Sequence, residues 1–170
     1  MSGPQYRLIK VRQPNEIAEA AALFREYADW LAIDLSFQGF AEELATLPGK
    51  YAPPAGELML AVASEGAALG CVAVRPLEGA VCEMKRLYVR PAARGLGLGR
   101  ALVDAIIRSA QQLGYAQMRL DTLPTMVEAF ALYRRFGFVE SPAYYNNPVP
   151  GTRYLGLEIA ALLPADRGAD

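Results

Sequence analysis

The sequence predicts an α+β fold, a mixed α/β sandwich in which a mostly antiparallel sheet of six to seven strands has about four helices on both faces. Two observations support this prediction. Three apolar segments in the first half are separated only by short turns, which is typical of an antiparallel meander. After Pro91 the apolar spacing becomes three and four residues, and a strand–helix–strand–helix order follows, which indicates a right-handed crossover to a parallel neighbour.

Each element has its own local pattern. Helical spacing of apolar residues follows Pro14, Gly114 and Gly137 are suited to end helices, and Thr125 with Glu128 matches a capping box. The predicted elements are, in order, a strand at 6–11, helices at 14–31 and 39–47, strands at 57–64, 68–76 and 81–89, a helix at 99–113, a strand at 116–121, a helix at 125–136 and a strand at 153–159.

Composition and charge limit the number of domains and the kinds of partner that we expect. The 170 residues, 53% hydrophobic and 21% charged, predict one folded domain at 1–163 and a frayed tail at 164–170. A net charge of −1 argues against general nucleic-acid binding. We see no secretory signal and no apolar run of bilayer length, so we expect a cytoplasmic protein that does not bind a membrane. Cys71 and Cys82 are expected to be free thiols.

The chain contains no histidine, which excludes several catalytic systems. Neither a Ser-His-Asp nor a Cys-His nucleophile can form, and an HExxH zinc site is also excluded. Two cysteines are too few for a four-thiolate zinc site, so no metal is expected. Any proton transfer must therefore use a carboxylate, tyrosine, lysine, cysteine, water or the substrate itself.

The most informative segment is a glycine-rich turn between a predicted strand and a predicted helix. Gly95, Gly97 and Gly99 alternate there, between Arg94 and Arg100. Glycine lets backbone N–H groups approach a ligand closely, and a helix N-terminus favours an anion. We therefore expect a phosphate or pyrophosphate ligand. The spacing fits neither the P-loop nor the GxGxxG dinucleotide fingerprint.

Two segments carry a family resemblance. Arg-x-x-Gly-x-Gly, at Arg94, Gly97 and Gly99, resembles the pyrophosphate loop of the GNAT superfamily of N-acetyltransferases, and ALYRRFGF at 131–138 resembles the superfamily's ALYxxxGF motif. The resemblance implies a GNAT-type acyl-CoA N-acyltransferase fold and acetyl transfer from acetyl-CoA to a primary amine of a small molecule or peptide, by direct attack in a ternary complex. The alternative is a non-catalytic acyl-CoA-binding or regulatory domain on the same fold.

The resemblance also implies where acetyl-CoA binds. Many relatives have an asparagine near the end of the fifth strand that helps hold the pantetheine arm. This chain has Asp121-Thr122 there instead, and Thr122 is the expected substitute. The expected cofactor-binding residues are Leu87, Tyr88, Val89, Arg94, Gly95, Leu96, Gly97, Leu98, Gly99, Arg100, Thr122 and Tyr133.

Two residues are the predicted catalytic groups. Tyr133 matches the superfamily's motif tyrosine, which commonly donates to the CoA sulfur, and a tyrosine with a pKa of ~10 keeps its proton at neutral pH. The alternative is a core tyrosine. Glu83 is the candidate general base, and the alternative is a pair with Lys85 on the same strand face. Asp121 and Glu128 are further candidates for the base.

An aromatic-rich acceptor pocket is expected from the first helices and the late loop at 141–150. An aromatic wall can hold a cationic amine or a flat apolar acceptor, and closure of a small core is the alternative. The expected acceptor-binding residues are Tyr27, Trp30, Phe37, Tyr144, Tyr145 and Asn146, with Asn147 also able to form hydrogen bonds. The sequence alone does not identify the acceptor. Because superfamily members are often dimers, a homodimer is one expectation for the assembly.

Overall fold

The computed structural model describes residues 5–160, which form one seven-stranded sheet with helices on both faces. The elements are β1 (Tyr6–Lys10), α1 (Pro14–Leu31), α2 (Phe40–Thr46), β2 (Glu57–Ala63), β3 (Ala68–Glu78), β4 (Val81–Val89), α3 (Leu98–Gln112), β5 (Gln117–Thr122), α4 (Val127–Arg135), β6 (Val139–Glu140) and β7 (Arg153–Glu158). Single turns of 3-10 helix lie at Ser36–Gln38, Gly49–Tyr51 and Pro91–Ala93. No helix within 5–160 is long and apolar enough to cross a bilayer.

The strand order is β1-β2-β3-β4-β5-β7-β6. Strands β1 to β4 form an antiparallel meander, and β5 lies parallel to β4 after the α3 crossover. Strand β7 then returns antiparallel between β5 and β6. This mixed, mostly antiparallel sheet confirms the predicted fold class.

The core consists of two apolar layers, one on each face of the sheet. All seven residues of β2 are buried, because its alternating side chains enter both layers. Leu58 and Leu60 pack in the layer that contains Phe24 of α1. Met59 packs in the layer that contains Leu102 of α3. Helices α1 and α2 therefore cover one face, and α3 and α4 cover the other.

Some local predictions need correction. Helix α4 begins at Val127, and Met126 at its N-cap makes no side-chain capping bond, so the capping box predicted for Thr125 and Glu128 is wrong. The sequence does not predict β6, because two residues are too short to show an alternating pattern. Cys71 and Cys82 are free and buried. The predicted tail at 164–170, like 1–4 and 161–163, lies outside the described residues.

Candidate active site

Strands β4 and β5 separate halfway along their length. Their parallel pairing ends at Glu83 and Arg119, yet β4 continues to Val89 and β5 to Thr122. Beyond the last pair, the facing edges of β4 and β5 do not pair with each other. Backbone groups there can pair with an extended ligand, much as a sheet edge pairs with an added strand.

A β-bulge in β4 lies at this opening. Lys85 pairs with Ala73 and Tyr88 with Cys71, so the two residues between them on β4 face a single residue of β3. Arg86, one of the two, has a φ of +61°, which non-glycine residues rarely adopt. The bulge turns the strand locally and leaves a backbone group unpaired, which is a common device beside active sites.

A groove of about 570 Å³ opens between the end of β4 and the first turns of α3 and α4. We call it the glycine groove. Its lining residues are Trp30, Leu87, Tyr88, Val89, Ala93, Arg94, Gly95, Gly97, Leu98, Gly99, Thr125, Met126, Val127, Glu128, Ala129 and Leu132. Most of the residues predicted to bind the cofactor therefore lie together. Leu96 and Arg100 are exposed beside the groove and do not line it.

The N-terminus of α3 lines the groove with Gly97, Leu98 and Gly99. Gly97 is the N-cap, with a φ of +78° and no side-chain capping bond, so the first-turn donors remain for a ligand. These donors and the helix dipole favour an anion. A Cβ on Gly95 or Gly97 would meet no atom within 4 Å, so the positive φ, rather than crowding, requires glycine.

Arg94 and Trp30 form one wall of the groove. The Arg94 guanidinium lies 5.0 Å from the Trp30 ring centroid, and its Nε donates to the Val89 carbonyl at 3.1 Å. Trp30 remains 47% exposed. The structure thus places Trp30, predicted on the acceptor side, against the predicted pyrophosphate site.

A second, smaller space, the inner cavity, lies on the other side of the opening and has a volume of about 40 Å³. Its lining residues are Tyr27, Leu31, Ile33, Leu35, Phe37, Gln38, Met84, Lys85, Arg86, Leu87, Leu120, Asp121, Thr122, Leu123, Met126, Tyr133, Asn147 and Val149. Leu87 and Met126 line both the inner cavity and the glycine groove. The two spaces therefore meet where β4 and β5 separate.

Tyr133 lines the inner cavity and is also part of the core. Its side chain is 5% exposed, and its ring packs edge-on against Phe138 at 5.8 Å between centroids. Burial raises the pKa of Tyr133, as do the nearby Tyr27 and Asp121. The phenol therefore remains protonated at neutral pH and can act as a donor.

Glu83 is 1% exposed and does not line the inner cavity. Its Oε1 accepts a hydrogen bond from Arg75 Nε at 2.8 Å, and its Oε2 accepts one from the Tyr144 hydroxyl at 2.5 Å. The ionic partner of Glu83 is therefore Arg75 and not Lys85, the alternative considered from the sequence. Both oxygens already have a partner.

Asp121, at the end of β5, does line the inner cavity. Its Oδ2 accepts hydrogen bonds from the Tyr145 hydroxyl and from Asn147 Nδ2, the latter at 2.9 Å. Both donors belong to the loop before β7 and are neutral. This loop therefore fixes a carboxylate at the cavity wall without neutralising its charge.

Two cationic side chains of β4, Lys85 and Arg86, also line the inner cavity. Arg86 donates through Nε and Nη2 to Glu43 of α2 and through Nη1 to Gln38 Oε1. Lys85 is 5% exposed, and its Nζ donates to Gln38 Oε1 at 3.1 Å. Burial and the neighbouring Arg86 lower the pKa of Lys85 from 10.5 to about 8.

The predicted acceptor-side aromatic residues lie in three places. Tyr27 and Phe37 line the inner cavity. Tyr144 and Tyr145 belong to the late loop, their rings 5.3 Å apart, and Asn146 beside them is exposed. These three residues line an open depression outside the cavity, and Trp30 lines the glycine groove.

The sequence does not point to Gln38 or Arg86 as site residues. Gln38 contacts three site groups, since its Oε1 accepts from Lys85 and Arg86 and its Nε2 donates to the Tyr145 hydroxyl at 3.2 Å. It thereby joins the α1–α2 connection to the late loop across the cavity. Only the tertiary fold brings these segments together. Among the described residues, no three His, Cys, Asp or Glu side chains are grouped as metal ligands.

Known proteins share this fold. A Staphylococcus aureus Mu50 acetyltransferase of the GNAT family has a TM-score of 0.75 at 18% identity, with 91% of this chain and 99% of that chain covered. A Klebsiella pneumoniae structure also gives 0.75, at 26% identity over 92% of this chain and 99% of that one.

Relatives in sequence are named as N-acetyltransferases. An uncharacterized N-acetyltransferase of Schizosaccharomyces pombe is 46% identical over 151 residues, covering 88% of this chain and 93% of that relative. A second, from Dictyostelium discoideum, is 31% identical and covers 83% and 94%. The relatives and the shared fold define an N-acetyltransferase. The acetyltransferase (GNAT) family model matches residues 17–138, and the chain belongs to that family.

Proposed function

We propose that this enzyme transfers the acetyl group of acetyl-CoA to a primary amine of a small molecule or peptide by direct attack in a ternary complex. The observation that carries the proposal is the meeting of the glycine groove and the inner cavity at Leu87 and Met126. Two ligands that enter from the two sides of the sheet opening would meet there. Such an arrangement allows direct transfer without a covalent enzyme intermediate.

The glycine groove fits the cofactor. The uncapped N-terminus of α3 and Arg94 suit a pyrophosphate, and the bulged edge of β4 suits the amide-bearing pantetheine arm. The thioester would then lie beside Leu87, where backbone N–H groups can stabilise the charge that develops on its carbonyl oxygen. Acetyl-CoA supplies the acetyl group as an activated thioester.

Proton transfer can be assigned to groups that line the inner cavity. The amine nitrogen forms the C–N bond as the C–S bond breaks, and the buried phenol of Tyr133 gives its proton to the departing sulfur. The proton lost by the amine passes to Asp121 or to water. We favour Asp121 over Glu83 because Glu83 lies outside the cavity and both of its oxygens have partners.

A coupled assay tests the proposal. Purified enzyme is incubated with acetyl-CoA and a panel of primary amines, and free thiol release is recorded beside the melting temperature with and without CoA. We expect CoA to raise the melting temperature by mass action and at least one amine to release thiol. CoA binding without thiol release from any amine would instead support the non-catalytic alternative.

A further inference from the structure

The inner cavity contains a buried cation without an ionic partner. Both neighbouring arginines, Arg75 and Arg86, pair with a carboxylate. Lys85 has no carboxylate within ion-pair distance among residues 5–160, and the partner of its ammonium is the neutral amide of Gln38. An ammonium has three donors, so two remain for a ligand. Arg86 already uses all three of its nitrogen atoms.

The cavity also contains a carboxylate without a cation. Asp121 accepts hydrogen bonds from Tyr145 and Asn147, and no lysine or arginine of the described chain pairs with it. Arg119, two residues earlier on β5, lies 6.0 Å from the Tyr144 ring instead. Asp121 is half-buried, and a charge that is partly removed from water without an ionic partner costs stability, so such groups are typical of ligand sites.

The strand register places these two charges opposite each other. The last parallel pair joins Glu83 to Arg119. Lys85 and Asp121 each follow two residues later, on the same face of the sheet, where the strands have separated. A ligand that enters this opening therefore has a cation on one side and an anion on the other.

We propose that the acceptor is an amino acid, or another amine with a carboxylate beside the amine, whose carboxylate binds Lys85 while its amine is held on the side of Asp121. This inference rests on the proposed function, because it names the acceptor class of the same site. The product is then an N-acetylamino acid. The carboxylate remains unchanged while the amine exchanges one proton for the acetyl group.

The size of the site agrees with such a head group. About 40 Å³ is room for roughly three water molecules, so the enclosed space suits a small polar head group and not a large side chain. Asn147 and Val149 line both the inner cavity and the open depression of the late loop. The side chain of the amino acid would extend past them into this depression, which Tyr144 and Tyr145 also line.

The wild-type enzyme alone gives the first test. Thiol release is measured for the L-amino acids, for the carboxamide of each, and for amines that lack a carboxylate, such as polyamines and arylalkylamines. We expect kcat/KM for the best amino acid to exceed that of its carboxamide by about 30-fold or more. Equal or faster turnover of the carboxamide overturns this inference and leaves the proposed function intact. No turnover of any amine, with CoA still bound, overturns the proposed function itself.

Three variants give the second test, with the ratio of kcat/KM for amino acid over carboxamide as the readout. Lys85→Met should lower the ratio at least about 10-fold, and Lys85→Arg should preserve part of it because the charge remains. Lys10→Met, at an exposed lysine on β1, is the matched control and should keep the ratio. An unchanged ratio in a Lys85→Met protein that still binds CoA overturns the inference. If that variant fails to fold, the wild-type comparison decides.

Discussion

The polar residues of the site divide into those whose bonds join elements of the fold and those that line the inner cavity. Glu83 belongs to the first kind, because it joins β3 through Arg75 to the late loop through Tyr144. Asp121 and Lys85 belong to the second, since both line the inner cavity and have neutral partners. Two carboxylates on the neighbouring strands β4 and β5 can thus have different roles, which depend on their partners.

Tyr133 provides the first prediction at this scale. Tyr133→Phe removes the proposed proton donor and keeps the ring that packs on Phe138. We expect kcat to fall about 100-fold while the CoA-induced rise in melting temperature remains. Steady-state thiol release and thermal melting measure the two effects. Tyr115→Phe, whose hydroxyl donates to the Ala55 carbonyl far from the cavity, is the control. Wild-type turnover in Tyr133→Phe would refute the assignment.

Lys85 provides the second prediction, a pH dependence of stability. Its folded-state pKa, about 8 against 10.5, is lowered by burial, Arg86 and Arg75 and is raised by Glu83 and Asp121. Between these values the unfolded chain binds more protons, so the free energy of unfolding rises with pH there. The free-energy cost of burying the charged ammonium is full below about pH 8 and is gone above about pH 10.5.

The comparison with Lys85→Met isolates this effect. From pH 7 to 10, wild type should gain up to about 3 kcal/mol of unfolding free energy relative to the variant. Urea denaturation at each pH, with Lys10→Met as the control, measures this difference. A difference that stays constant with pH would show that the ammonium carries no burial penalty.

At the scale of elements, the turn before α3 is the part of the site that depends most on backbone conformation. Gly95 and Gly97 both have positive φ, and Gly97 is the uncapped N-cap. An L-residue that keeps this positive φ is strained by roughly 1–2 kcal/mol. One that relaxes changes the direction of the N–H groups in the turn.

A matched pair of glycine variants tests this turn. Gly97→Ala should weaken CoA binding about 10-fold or more, as measured by calorimetry. Gly66→Ala introduces alanine at a φ of +98° in the β2–β3 turn, with no neighbour within 4 Å of the new Cβ. It should cost similar stability and leave CoA affinity unchanged. Equal CoA affinity in both variants would contradict the assignment of the turn.

The elements also show why some of the site follows from sequence and some does not. The glycine turn is predictable because its chemistry is local, within six residues at Arg94–Gly99. The opposition of Lys85 and Asp121 is not, since it depends on the register of a parallel pair distant in sequence. Apolar spacing predicts the bounds of α1, but the contact of Trp30 with Arg94 depends on how the helix packs on the sheet, which the spacing does not define.

At the scale of the whole molecule, the absence of histidine constrains the pH profile. For an amine without a carboxylate, the rate should rise with the fraction of deprotonated amine. The pH–rate profile should show no inflection near pH ~6.5, where a histidine would titrate. Profiles for acceptors of different amine pKa check this, since the rising limb should move with the acceptor. A limb that stays fixed would indicate an enzyme carboxylate, with Asp121 as the first candidate.

The short ladder between β4 and β5, Val81–Glu83 with Gln117–Arg119, has a mechanical consequence. It divides the sheet into two parts, β1–β4 and β5–β7–β6, which only this short ladder joins. We call the two parts the leaves of the sheet and the ladder between them the seam. Native-state hydrogen exchange should show amides of β5 and β7 opening together at a lower free energy than those of β2 and β3. CoA bound along the seam should slow exchange on both leaves, because the bound substrate would hold the two parts of the sheet together. Equal opening energies without CoA would mean that the seam is as strong as the rest.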